Sequence, residues 1–426
     1  MSELLNKDKR NIWHPFTQLV NSPDPFVVTK GKGAYLYTED GRKILDAVSS
    51  WWVNLHGHSH PHIAAAVAKQ ALELEHVIFA GFTHEPAIRL SENLLSILPQ
   101  NQSKVFFSDN GSTAVEVALK MTYQYWYNQG IKRNKTIAFN GAYHGDTFGA
   151  MSVGDRGPFS APFTPYLFDV AFVDCPVYGE EERVYSEFKG LIDQGDVSSF
   201  IFEPLVLGSA GMMMYSAEIL DRMIAYAQSK EVICIADEVF TGFGRTGQLF
   251  AADHLAHKPD IFALSKGLTG GTMALGATTC TEKIIEVYRD NDLMKTFFHG
   301  HSFTANPIAC AASNASFELL MDDQCQEAIK QLSLLQAQYK LKLESHPKLR
   351  NVRQLGTILA MEFDTKMDTS YANEVRHKLY PFFLERNILL RPLGNILYVL
   401  PPYIVTPKEL STVYTAIEEL LETLEV

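Results

Sequence analysis

The sequence predicts an α/β protein: a large domain built on a mostly parallel central sheet, joined to a smaller α+β domain. Three observations carry this. Short apolar runs recur along the chain and end in polar or Gly-bearing loops: KVFFSDNG, TIAFNGAYHG, FIFEP, VICIADE and IFALSKG. Asp237 and Lys266, which close two of these runs, are separated by about one strand–helix–strand crossover. Beyond about residue 325 the pattern changes to an amphipathic helix rich in Gln, Lys and Leu, then a strand in LGTILAMEF, a helix at 372–387, two strands in ILLRPLGNILYVLPPY and a last helix. The expected division is an N-terminal segment at 1–50 packed with the small domain, a large domain at 51–324, and a small domain at 325–426.

A chain of 426 residues, 46% apolar and 20% charged, has ample core and is not disordered. Its net charge of −12 and the lack of any basic run argue against a nucleic-acid partner. MSELLNKDKRNIW has no apolar segment of the secretory type, and no apolar run reaches membrane-spanning length. The five cysteines are scattered, odd in number and without a CxxC pair. They are expected to be reduced thiols in the cytoplasm, with Cys234 in the core.

Taken in order, Ala34 to Tyr37 and Lys43 to Ala47 predict a hairpin around Asp40-Gly41. The adjacent Trp51 and Trp52 cannot both face one core, so one is expected to line a pocket, surface or interface. Histidines 56, 58, 60 and 62 alternate, but Pro61 interrupts them and no Cys or acid stands at ligand spacing. They are not read as a metal site. A helix is expected from Ile63 to Glu75.

Strand Val105 to Phe107, the loop Ser108 to Gly111, and a helix opened by Ser112 or Thr113 would together make an anion site. Free N–H groups and the helix dipole point at the loop. The structural alternative is an ordinary cap by Ser112. Strand Thr136 to Phe139 leads into the aromatic loop Ala142 to Asp146, strand Phe200 to Phe202 ends at Glu203, and strand Val232 to Ala236 ends at Asp237-Glu238. An acid there is expensive unless a cation faces it. Ligands of an open parallel sheet bind at the carboxyl ends of its strands. Lys266, after strand Ile261 to Leu264, would sit there with its stem packed on apolar neighbours, and burial would favour the free amine. A buried Asp–Lys pair is the structural alternative. Arg391 interrupts the apolar run Ile388 to Leu390 and calls for a carboxylate, from protein or ligand. Thr406 to Glu409 is a capping box for the last helix.

An anion site, an aromatic loop, a strand-end acid and a strand-end lysine suit pyridoxal phosphate, with its phosphate, flat ring, pyridine nitrogen and aldehyde. The stretches IWHPFTQ, SSWWVNLHGHSHP, SDNGSTAVEVALKM, AYHGDT, ADEVFTGFGRTG, ALSKG, HGHSFTANPIACAA and LLRPLGN, in this order, resemble the class III pyridoxal-phosphate aminotransferases over nearly the whole chain. WHPFTQ, the Trp pair and LLRPLGN are most similar to the branch of biotin biosynthesis that converts 8-amino-7-oxononanoate to 7,8-diaminononanoate. The resemblance implies the fold type I transferase architecture, a ping-pong mechanism and a homodimer with sites at the subunit interface. It makes Lys266 the catalytic, cofactor-binding amine and pairs Asp237 with the pyridine nitrogen. It stacks Tyr143 on the ring, puts Gly111 and Ser112 on the phosphate, and brings Ser302 to the phosphate of the neighbouring subunit.

Trp51, Trp52, Tyr143 and Gly300 would line the keto-acid channel, with Arg391 on its carboxylate and Glu203 and Arg245 nearby. Phe16 stands where members using S-adenosylmethionine carry tyrosine, so the donor is S-adenosylmethionine or lysine. The other readings of these motifs are an aminotransferase for an ω-amino acid or diamine, and a catalytically silent pyridoxal-phosphate binder.

Overall fold

The computed structural model describes residues 2–365, 369 and 373–424. Near the N-terminus β1 (Val28–Lys32), β2 (Tyr35–Thr38) and β3 (Lys43–Asp46) form an antiparallel meander. The hairpin β2–β3 is the predicted one. β1 was not predicted, because VTKGK is nearly all exposed and carries no alternating apolar face.

The central sheet contains β4 (Gln102–Ser108), β5 (Lys135–Phe139), β6 (Ala171–Val173) and β7 (Val197–Phe202). A small hairpin follows, β8 (Val206–Leu207) with β9 (Met213–Met214). The sheet is completed by β10 (Ile233–Asp237), β11 (Ile261–Leu264) and β12 (Gly276–Thr281). Its order is β4-β12-β11-β10-β7-β5-β6. Only β12 runs against its neighbours. β7, β10, β11 and β12 are buried along their whole length. β10 and β11 read as continuous apolar runs for that reason, whereas β12 (GATTCT) carries too many threonines to read as one from its sequence.

The two faces still separate by the strand period of two. Ile201, Ile233, Ile235, Ile261 and Ala263 pack against the helix Gly111–Asn128 through Ala114, Val115 and Ala118. Phe200, Phe202, Cys234, Ala236 and Phe262 belong to the core on the other side, with the helix Ala217–Ser229.

In the C-terminal part β13 (Leu349–Leu355), β14 (Ile358–Phe363) and β16 (Ile396–Val399) form an antiparallel sheet, and β15 (Ile388–Leu389) lies between the last two in sequence. Helices Asp323–Leu343 and Pro407–Thr423 pack together through Tyr339 and Tyr414, whose rings stack at 3.7 Å. The last helix is capped by Thr406 and Glu409 as predicted. Strand β13 was missed because KLRNVRQL is charged.

The two strands expected in 388–399 both exist but join different sheets. β15 pairs in parallel with β3, Leu389 opposite Asp46. The expected helix at 372–387 is observed as Arg376–Glu385, and Ala372 lies outside the described residues. The helix expected from Ile63 begins earlier, at Pro61, because proline suits a first helical position. Among the described residues no helix is long and apolar enough to cross a membrane.

Candidate active site

A cavity of about 640 Å³ opens at the carboxyl ends of β10 and β11. At one end lies the β4–helix loop. Asn110 Oδ1 accepts the Thr113 N–H at 2.9 Å, and Thr113 Oγ1 accepts the Asn110 N–H at 3.1 Å. The helix therefore starts at Gly111, before the expected Ser112 or Thr113, and its cap is Asn110 rather than the Ser112 of the structural alternative. This correction matters, because it leaves Ser112 free of capping. The N–H groups of Gly111 and Ser112 meet no acceptor among the described residues and face the positive end of an 18-residue helix. Ser112 Oγ accepts the Asp146 N–H at 3.2 Å. A Cβ on Gly111 would stand 2.8 Å from Val239, and one on Gly145 (φ +129°) would overlap Ser112. The cradle is shaped by backbone on both sides.

At the other end Asp237 closes β10. Its Oδ1 accepts the Val239 N–H at 3.1 Å and its Oδ2 lies 2.6 Å from His144 Nδ1. His144 is buried, and its Nε2 has no partner among the described residues. Lys266 follows β11, the parallel neighbour of β10. It sits at φ +47° with Nζ 4.8 Å from the Trp52 ring centroid and 5.7 Å from that of Phe240. Burial lowers its pKa to about 8, although Asp237 and Glu203 pull the other way. The expected free amine is thus available near neutral pH.

Glu203 is buried below the cavity wall, and burial lifts its carboxyl to about 7. One oxygen accepts the Tyr143 N–H at 2.9 Å and the other the Gly208 N–H at 3.0 Å. Tyr143 lines the cavity, its phenol pKa raised by burial and then by Asp146. Arg245 is wholly buried and donates to the backbone oxygens of Trp52 (3.2 Å) and Asn54 (3.1 Å). It braces the tryptophan loop from beneath.

The Trp pair splits as expected. Trp52 is buried, its Nε1 donating to Tyr398 at 3.0 Å, while Trp51 is 43% exposed. The Arg391 guanidinium carbon lies 4.7 Å from the Trp51 ring centroid, and Phe16 meets that ring edge-on at 5.9 Å. Arg391 makes no ion pair among the described residues, so none of the described carboxylates of the chain occupies it. Gly300 and Ser302 are exposed on a loop and do not line this cavity. His56, His58 and His62 bond to Ser316, Asp46 and Glu318.

Sequence reasoning passed over His144, Val239 and Phe240. His144 was visible as the residue after Tyr143 in the strand-end loop, but only the fold brings it to Asp237.

The cradle offers two free N–H groups and a hydroxyl to an anion. The opposite wall offers a carboxylate to a ring nitrogen, and a lysine amine stands beside apolar rings. Pyridoxal phosphate uses all three, and the chemistry of these donors fits it. Fold and site together define a pyridoxal-phosphate enzyme.

Comparison with known proteins narrows the class. The family profile described as Aminotransferase class-III matches residues 18–421, and the chain belongs to that family. The chain is 48% identical over 421 residues, 97% of its length and 98% of the relative's, to a Synechococcus elongatus protein named adenosylmethionine-8-amino-7-oxononanoate aminotransferase. A solved structure of that name from Methanocaldococcus jannaschii superposes with a TM-score of 0.94 at 35% identity, covering 99% of both chains. A PLP-bound amine transaminase from an uncultivated Pseudomonas species superposes with a TM-score of 0.91 at 27% identity, covering 97% of this chain and 98% of that one.

Proposed function

We propose that this enzyme transfers an amino group from S-adenosylmethionine to C7 of 8-amino-7-oxononanoate, giving the 7,8-diamine. The observation that carries the reading is Lys266, an amine with its pKa lowered to about 8, in one cavity with an anion cradle and Asp237. The relatives' printed name supports the substrates.

Gly111, Ser112, Asp237 and Tyr143 would hold pyridoxal phosphate. When bound, the cofactor supplies an aldehyde that condenses with amines and a ring that withdraws electrons from the attached carbon. Lys266 Nζ would take the proton from the donor's amino-bearing carbon and deliver one to C7 of the acceptor. Asp237 would hold the proton of the ring nitrogen. Trp51, Trp52 and Tyr143 would exclude water along the apolar chain, and Arg391 would bind its carboxylate. Phe16 offers no hydroxyl beside Trp51, which makes lysine the second donor to test.

The exposed loop carrying Gly300 and Ser302 supports a dimer in which each chain completes its partner's site. The five free cysteines support a reducing, cytoplasmic setting. We keep the division at 1–50, 51–324 and 325–426, supported by the pairing of β3 with β15.

The test is the cofactor absorbance of the holoenzyme on adding S-adenosylmethionine or lysine, then 8-amino-7-oxononanoate. A change with a donor, reversed by the keto acid, is expected. No change with either donor would overturn the reading in favour of an ω-amino-acid transaminase.

A further inference from the structure

The Trp51–Arg391 contact joins two chain segments distant in sequence that the parallel pair β3–β15 brings side by side. Asp46 ends β3 opposite Leu389 of β15, and each strand runs directly into one half of the contact. Between Asp46 and Trp51 the backbone is uphill: Ser49, Ser50 and Trp52 all have left-handed φ, at 52°, 60° and 65°. Residues other than glycine stay there only when their surroundings over-determine them, and such clusters mark functional sites.

Arg245 holds the end of this turn and the Ser49 hydroxyl donates to the Leu400 oxygen at 2.8 Å, but the group that holds its first half is Asp46, which is fully buried. Its Oδ1 accepts the N–H groups of Val48 (3.2 Å) and Ser50 (2.8 Å). Its Oδ2 accepts the Ser50 hydroxyl at 2.9 Å and lies 2.9 Å from His58 Nε2. Asn54 Nδ2 stands 3.3 Å from His58 Nδ1, which assigns Nδ1 as acceptor and Nε2–H as donor to Asp46. The Gly31 backbone packs against the root of the His58 side chain, where a Cβ would meet His58 Cβ at 2.6 Å.

We propose that Asp46, oriented by His58, is the positioning residue for carboxylate recognition: it locks the Ser49–Trp52 turn so that Trp51 holds the Arg391 guanidinium ready for the acid end of the substrate. The proposal rests on the reading of Arg391 given above. An aromatic face fixes a guanidinium without consuming its N–H donors, so all remain for the ligand. A turn free to relax would let Trp51 swing away, and the arginine would pay rotamer entropy on binding.

The test uses holoenzyme and the nine-carbon carboxylate nonanoate as probe, with binding followed by calorimetry and keto-acid KM followed in parallel. Asp46→Ala is expected to weaken nonanoate by about tenfold and raise KM similarly, as a misplaced positioning group does. The dissociation constant for pyridoxal phosphate should hold. In an Arg391→Ala background the same change should have little further effect, because both act through one contact. Asp46→Asn and His58→Gln, which keep the shape, carry the test if Asp46→Ala does not fold, with smaller losses in the same direction. Additive effects of the Asp46 and Arg391 changes, or equal loss of cofactor and nonanoate, would overturn the proposal. A parent that neither binds nonanoate nor aminates the keto acid would overturn the Arg391 reading and this one together, whereas an active parent with unaffected variants would overturn this one alone.

Discussion

His144 and Asp237 form a buried pair, Nδ1 to Oδ2 at 2.6 Å, with side chains 0% and 5% exposed. The imidazole supplies a donor that the carboxylate would otherwise take from water. Asp237 is thereby hydrogen-bonded at a dry strand end, where it lines the cavity and can face a ring nitrogen.

Removing that donor should therefore weaken the cofactor. A hydrogen bond to a charged group contributes about 1.5–3 kcal/mol. His144→Phe is expected to raise the dissociation constant of pyridoxal phosphate by about 10- to 100-fold, measured by equilibrium dialysis. An unchanged constant would detach His144 from cofactor binding.

Lys266→Ala should lower turnover by at least about 10⁴-fold, the upper range for a lost acid–base group. Circular dichroism should be unchanged, since the truncation removes a group whose burial disfavours its own charge. Turnover near the parent rate would remove Lys266 from the proton transfer.

The pH profile follows from the direction of the Lys266 shift. Its pKa is lowered to about 8, so the ammonium, which cannot accept a proton, dominates below that value. The rate of the donor half-reaction should rise with pH through about 8 and level off above it. Asp237 and Glu203 both raise the Lys266 pKa. Glu203→Gln deletes one of these negative charges, so the midpoint should move to lower pH. Stopped-flow absorbance reads both, and a shift to higher pH would contradict the electrostatic account.

Arg391→Ala should raise keto-acid KM by about 10- to 100-fold, the equivalent of one charge-assisted contact, with kcat within a few-fold. Steady-state kinetics separates the two parameters. A loss confined to kcat would point away from ground-state binding.

Gly145→Ala tests the cradle. The alanine must adopt φ +129° and its Cβ would overlap Ser112. Thermal unfolding should show a loss of about 1–3 kcal/mol from backbone strain, accompanied by weaker phosphate binding in titrations with inorganic phosphate. Unchanged phosphate affinity would mean that Ser112 does not contribute.

Much of the site was legible because its parts are local. Asp237 and Lys266 each end an apolar run, and Gly111 and Ser112 stand where one strand's loop turns into a helix, so the strand–loop–helix rhythm announced them. The expected start of the helix falls one or two residues late because Asn110, Ser112 and Thr113 are all competent caps, and the choice depends on which side chain the loop turns inward. β1 and β13 were invisible because their residues are exposed or charged, and strand pairing rather than composition orders them.

The sequence by itself determined the α/β class, the strands β4, β5, β7, β10 and β11 and the residues at their ends, because runs of apolar residues bounded by polar loops are decided by near neighbours; β6 and the antiparallel β12 came only with the fold. Tertiary structure alone decided which of those ends meet. It carried His144 to Asp237 across 93 positions, chose Trp52 rather than Trp51 as the buried member of the tryptophan pair, and through β3 and β15 laid Arg391 on Trp51. Strand pairing between distant segments is selected by packing of the whole core, and no local pattern encodes that choice.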